Sequence, residues 1–331
     1  MTTDNRRLAL AMAAVLLVTF AIVGSNVAAN HEPKPHNVPV GIAGQANVVR
    51  TVGNAIRRRA PGAFEIHEYA SLDAARTAVL HRKIYGALRP EPTPLVLVAT
   101  AASPAVSRLL QQASAVARKR IGERIAVRDL VPLPRSDSTG ATAFSAVLSL
   151  ILAGIFGSTV IFVLARERPA HVRLAAMLVL GIGAGLITAL VTNVVVGAFR
   201  QDFLGVWGVA SLYVLAMGLP IIAFQLMVGL AGTGIGAVMF LVIGNPASGG
   251  SSAPELLPGF WRAVSQLLPP GAATTAMRDV AYFHGHGTAH ALIVLTLWAV
   301  LGAALAITVH WARRRAERAH AAQRAVAYPE I

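Results

Sequence analysis

His284, His286 and His290 stand in the run HGHGTAH, the one place where imidazoles crowd together. Imidazoles at this spacing could ligate zinc or copper. The chain has no cysteine, no well-placed carboxylate completes a ligand set, and two glycines loosen the run. It therefore reads as a polar loop at a membrane surface, with no metal expected. Other chemistry is missing too. There is no glycine-rich loop ending in Gly-Lys-Ser/Thr, no Gly-x-Ser-x-Gly and no His-Glu-x-x-His. A non-catalytic chain without a cofactor is expected, and any ATP-driven work falls to a separate subunit.

Two other groups of residues carry information. Arg166, Glu167, Arg168 and Arg173 form a short basic loop between apolar runs. Phe260, Trp261 and Arg262 lie in PELLPGFWRAVSQLLPPGAATTAMRDVAY, Pro254 to Tyr282, where apolar residues recur at helical spacing between prolines. These pieces are too short to span a bilayer. They suit an interfacial or re-entrant position with the aromatic rings at headgroup depth. Asn193 and Gln225 are rare polar residues within apolar runs, and no carboxylate or cation joins them. An ion-coupled transporter normally needs such charges. Gly181, Gly183, Ala184 and Gly185 read as a surface for close helix packing.

The elements that hold these residues follow from composition. Hydrophobic residues make up 55% of the 331 and charged ones only 13%, with mean hydropathy +0.60. Soluble domains carry about 25% charged residues. The excess of apolar side chains is what bilayer-crossing segments of about 20 residues require. The net charge of +14 does not indicate nucleic acid, because many arginines flank hydrophobic runs instead of forming a patch on a polar domain.

Along the chain, residues 1–29 form an apolar segment behind Arg6 and Arg7. Val27-Ala28-Ala29 has the small residues that signal peptidase accepts. The length of the run, and the chain's later return to the membrane, favour a retained anchor. Residues 30–140 alternate strand and helix patterns: strands at 38–43, 64–69, 85–88 and 95–99, and helices at 47–59, 71–83 and 103–120. Ser71 is an N-cap, Pro104 sits at a first helical position, and a last strand lies within 125–133. This predicts a small α/β domain. Residues 141–312 are the membrane domain, with spans at about 141–165, 174–199, 206–228, 230–246 and 290–312 and a re-entrant region at 247–289. Phe203 to Pro246 runs more than 40 residues without a charge. That is about 60 Å of helix against a core of roughly 30 Å, so it must turn back, and Gly229 to Gly236 is the expected place. A basic tail covers 313–331.

The expected fold is thus a polytopic α-helical membrane protein of about six transmembrane helices, with the α/β domain inserted between helices 1 and 2. Six passes place Arg6 and Arg7, the 166–173 loop and Arg313, Arg314, Arg315 and Arg318 on one face. The short loop near Arg200 on the other face is balanced by Asp202. The positive-inside distribution makes the arginine-rich face, with both termini, cytoplasmic and residues 30–140 extracytoplasmic at the cell membrane.

An N-terminal span, a large external α/β insertion and a clustered set of spans resemble the permeases of type-2 ABC exporters, in the phage-infection-protein-like branch. The most specific stretch is Asn245-Pro246-Ala247-Ser248-Gly249-Gly250 followed by Pro254 to Tyr282, similar to that family's external re-entrant region. The resemblance implies a permease subunit that forms a homodimer or heterodimer and works with a separate cytoplasmic ATPase on a lipid-linked or amphipathic substrate. It also implies a coupling loop at Arg166, Glu167, Arg168 and Arg173. Membrane lipid is an expected partner and nucleic acid is not. A second expectation remains open: a membrane-anchored interaction protein whose external α/β domain binds a cell-envelope partner.

Overall fold

The computed structural model describes residues 3–122, 124–199, 202–250 and 252–327. Helix α1 (Thr3–Asn30) leads into strand β1 (Val38–Ala43), which is followed by α2 (Ala46–Arg59), β2 (Phe64–Tyr69), α3 (Leu72–Leu80), β3 (Gly86–Arg89), β4 (Leu95–Val98), α4 (Pro104–Ile121) and β5 (Ala126–Asp129). The strands form one sheet in the order β2-β1-β3-β4-β5. β1 runs parallel to β2 and β3, β3 and β4 are antiparallel, and β4 is parallel to β5. β1 lies between two neighbours and buries Val38, Val40, Ile42 and Ala43, the continuous apolar run of a strand covered on both faces.

Local chemistry sets the helix ends. The Ser71 hydroxyl accepts from the Ala74 amide at 3.1 Å, which caps α3. Ser103 does the same for α4 at 3.2 Å, with Pro104 beginning the helix and Gly122 ending it at φ 75°. α2 packs on β2, α3 on β1 and β3, and α4 on β4.

The membrane part comprises α5 (Thr142–Leu164), α6 (Ala170–Ala189) extended by a π turn (Leu190–Val195), and α7 (Phe203–Val228). Then follow α8 (Ala231–Ala237), a second π turn (Val238–Gly244), α9 (Asn245–Ala247), α10 (Gly259–Ser265), α11 (Pro269–Tyr282) and α12 (Ala289–Ala327). Among the described residues five helices are long and apolar enough to cross a membrane: α1, α5, α6 with its π turn, α7 and α12. Residues expected to form a further span at 230–246 lie in a shorter apolar helix, Ala231–Ala247. At about 1.5 Å per residue it reaches about 25 Å, short of a roughly 30 Å core.

Two expectations need correction. The return expected at Gly229 to Gly236 is confined to Gly229, at φ 69°, and Leu230, because α8 is helical from Ala231. α8 tolerates its glycines because it lies against α7. A Cβ on Gly232 would come within 2.3 Å of the Phe224 carbonyl carbon. Of the small residues on α6, Gly181 and Gly185 do meet α7, with the added Cβ of Gly185 falling 2.8 Å from the Trp207 oxygen. Gly183 instead has nothing within 4 Å. The helix that carries the last expected span, 290–312, does not stop there: α12 continues through the basic residues to Ala327. Arg200 and Gln201, part of the expected charge-balanced loop, lie outside the described residues.

α7 is the axis of the bundle. It touches α5, α6, α8, α11 and α12, and buries Tyr213, Met217, Ile221 and Ile222. Pro220 interrupts it, and Gly302 on α12 packs there, where a Cβ would lie 2.5 Å from the proline ring. α1 buries only Ser25 and Ala29 among its described side chains and leaves Leu16, Leu17 and Phe20 bare, as a helix facing lipid does.

Candidate functional site

The α/β domain sits against the α10–α11 region through buried polar contacts, and these begin with backbone strain. α3 ends with Lys83 donating to the Ala78 carbonyl at 2.9 Å and Arg82 to Val79 at 3.1 Å. That closure puts Arg82 at φ 61°, a left-handed position where glycine is usual. A long side chain there costs of order 1–3 kcal/mol and persists only when its surroundings over-determine it. They do. The Arg82 Nε donates to Asp279 Oδ1 at 2.7 Å, and the guanidinium carbon lies 5.3 Å from the Tyr85 ring centroid and 5.0 Å from that of Phe283.

Asp279 projects from α11, is 1% exposed and is crowded from the other side by Gly287 at φ 92°. A Cβ at Gly287 would fall 2.8 Å from Asp279 Oδ2 and 2.9 Å from the Arg82 Cβ. Only glycine meets both the backbone and the space requirement there. Arg278, next to Asp279, is 5% exposed and donates to the carbonyls of Ser252, at 3.2 Å, and Gly250. Glu255 accepts from the Tyr85 hydroxyl at 3.0 Å, and its carbonyl accepts from the His36 amide at 2.9 Å. A third link runs from the Tyr282 hydroxyl to Asp137 Oδ2 at 3.1 Å. Asp137 also accepts from the Ala141 and Thr142 amides at 2.9 and 3.2 Å, so the same carboxylate caps α5.

Electrostatics follow the geometry. Burial alone would lower the Arg82 pKa, but Asp279, Tyr85 and Glu255 together hold it above its ordinary value. Burial first, and then Arg82, brings Arg278 down to about 10. Burial pushes the Asp279 carboxyl up against the pull of both arginines. The 2.7 Å contact with Arg82 is a charge-assisted hydrogen bond that opposes this rise. Burial and the Glu255 charge push the Tyr85 phenol up, so it remains a donor.

Between the domain and α11 lies a cavity of about 190 Å³ lined by Arg82, Tyr85, Ser252, Glu255, Gln266, Thr275, Arg278 and Asp279, among others. Two arginines face two carboxylates, so the lining is charge-balanced. At about 30 Å³ per water it holds a few waters or one small polar group. The described residues of its lining offer hydrogen bonding and charge pairing.

The residues singled out from the sequence fall elsewhere. His286 stacks on His81 at 4.1 Å between ring centroids. No group of three or more His, Cys, Asp or Glu could hold a metal among the described residues. Phe260 is 60% exposed and stands edge-on to Trp261 at 5.2 Å on α10. Arg262 has its Nη1 buried without a hydrogen-bond partner among the described residues. Arg166, Glu167 and Arg168 are exposed in the turn between α5 and α6. Arg173 is 4% exposed and folds back onto that turn, donating through Nε to the Ala165 carbonyl at 2.9 Å and through Nη2 to Arg166. Gln225 is fully buried and donates to the hydroxyls of Thr233 at 2.8 Å and Thr159 at 3.2 Å, which joins α5, α7 and α8. Asn193 accepts from the Thr192 hydroxyl at 3.0 Å.

The sequence reading missed Arg82, Tyr85, Asp137, Glu255, Arg278 and Asp279. One signal was present: Arg278-Asp279 is a charged pair inside an otherwise apolar helix. Comparison of the chain with protein-family models, with curated proteins and with solved structures finds no match.

Proposed function

We propose that the chain is the membrane-embedded, permease-like subunit of an ABC-type exporter, moving a lipid-linked or amphipathic substrate together with a separate cytoplasmic ATPase. The observation that carries this reading is the three-point junction Arg82–Asp279, Tyr85–Glu255 and Asp137–Tyr282. Asp279 and Tyr282 belong to α11, which packs on α5, α7 and α12. A shift of the bundle helices is therefore delivered to the α/β domain and to the cavity beside it. In this reading Ala231–Ala247 is the fifth of six passes, both termini are cytoplasmic, residues 30–140 are extracytoplasmic, and Phe260, Trp261 and Arg262 sit in the outer headgroup layer. Arg166, Glu167 and Arg168 offer the exposed charges an ATPase partner needs, and a homodimer or heterodimer completes the pathway.

A second reading, a membrane-anchored protein whose α/β domain binds a cell-envelope partner, is favoured by one observation: the apolar runs 141–165, 174–199 and 203–246 hold no charge. Purification from native membranes separates the two. Export predicts a co-purifying ATPase that is lost on replacing Arg166 and Arg168 by Glu. A chain that comes out alone, or bound only to an envelope component, sinks the exporter reading.

A further inference from the structure

We propose that the start of α6 and the stretch of α12 around His310 and Arg314, beside the 165–169 turn, form a site for the phosphate headgroup of an anionic phospholipid. The starting observation is Arg173. Its guanidinium is buried and bonds two neutral carbonyls, and its Nη1 is buried with no partner among the described residues. Burying a cation without an anion is unfavourable. The charged group that acts on Arg173 from α12 is another cation, Arg314. His310, half-buried on α12, feels the charges of Arg314, Arg173 and His171, with Glu317 the opposing charge. None of these residues makes an ion pair among the described residues. α6 also starts without a side-chain cap, so its first amide N–H groups add partial positive charge at the same end.

Four cationic or protonatable groups from two helices, Arg173, His171, His310 and Arg314, thus act on one another here, against two exposed carboxylates, Glu317 and Glu167 of the turn. An anion placed there removes their mutual repulsion and gives Arg173 the partner it lacks. The depth selects the source. Arg173 lies in the first turn of an apolar helix and Arg314 directly follows the apolar run of α12, which is where headgroups lie. Beside them Val172, Ile307 and Trp311 are exposed. That apolar rim accommodates acyl chains, which a free phosphate does not have.

The test uses the full-length chain, purified in detergent and stripped of lipid, with thermal unfolding and native mass spectrometry as readouts. Phosphatidylglycerol is expected to raise the melting temperature by several degrees and to stay bound. Phosphatidylcholine and inorganic phosphate at equal concentration are expected to do neither. Arg314→Gln should weaken the phosphatidylglycerol effect by about fivefold or more, and Arg318→Gln, exposed on the same helix, by less than about twofold. Arg173→Lys, which keeps the charge and loses the fork, should weaken it as well. Three results overturn the proposal: no phosphatidylglycerol shift, an equal shift with phosphatidylcholine or inorganic phosphate, or equal losses in Arg314→Gln and Arg318→Gln.

Discussion

Two ends of the molecule bury arginine, and they treat it in opposite ways. At the domain junction Arg82 meets a carboxylate at 2.7 Å and lies between two aromatic rings. At the α5–α6 turn Arg173 meets only carbonyl oxygens and has another arginine for company. The first arrangement is closed: its charges are matched inside the chain, so it can act as a mechanical link between parts distant in sequence. The second is open: its charge is unmatched, so it needs something from outside. A buried arginine near a bilayer edge can therefore mean a fastening or a binding site, and the counter-ion decides which.

Breaking the closed arrangement should have the largest effect. Arg82→Ala leaves Asp279 buried and unpaired, and is expected to cost about 3–5 kcal/mol. Hydrogen exchange on β1, β3 and α11 should show this as faster opening of the junction, with α5 and α6 spared. Replacing both partners, Arg82→Met with Asp279→Leu, should recover most of the loss, since no charge is then stranded. A single-mutant cost below about 1 kcal/mol would reduce the pair to the rank of a surface contact, and the contrast with Arg173 would collapse.

The sequence showed the parts of this junction without the joint. The strands at 38–43 and 64–69, the cap at Ser71 and the helix start at Pro104 were legible because alternation, helical spacing and end signals act over a few residues. Arg82 was not, because its partner lies 197 residues away and an arginine in the last turn of an expected helix looks like a solvated one. Gly287 looked like part of a loose histidine loop, yet its missing side chain makes room for the ion pair. The glycines of α8 looked like a turn because their packing against α7 is a tertiary fact. Arg173 was grouped with Arg166 and Arg168 by proximity in the chain, and only the fold reveals that it turns inward while they face out.

An intermediate effect is expected at the open arrangement. Arg173→Gln removes two charge-assisted hydrogen bonds to the end of α5 and strands no carboxylate. Its cost in lipid-free detergent should be about 1–3 kcal/mol, read from exchange at the α5–α6 turn. The loss should be smaller than for Arg82→Ala. A larger one would mean that Arg173 is balanced internally after all, and would weaken the case for an external anion.

The smallest effect sharpens the comparison from within the α/β domain itself. Ser71 and Arg82 bracket α3: one caps its start and the other closes its end. Ser71→Ala loses a single exposed hydrogen bond to the Ala74 amide and is expected to cost about 1 kcal/mol. Because that cap is local, exchange should quicken in α3 and in the neighbouring β1 and β3 amides, and α11 should not change. Arg82→Ala should disturb α11 as well, because its contact crosses to the membrane part of the chain. Matching exchange patterns in the two variants would show that the α/β domain and α11 open as one unit whichever end of α3 is weakened. The junction would then be no more than an extension of the α/β core. Distinct patterns, with α11 responding only to Arg82, would identify the ion pair as the element that transmits between them.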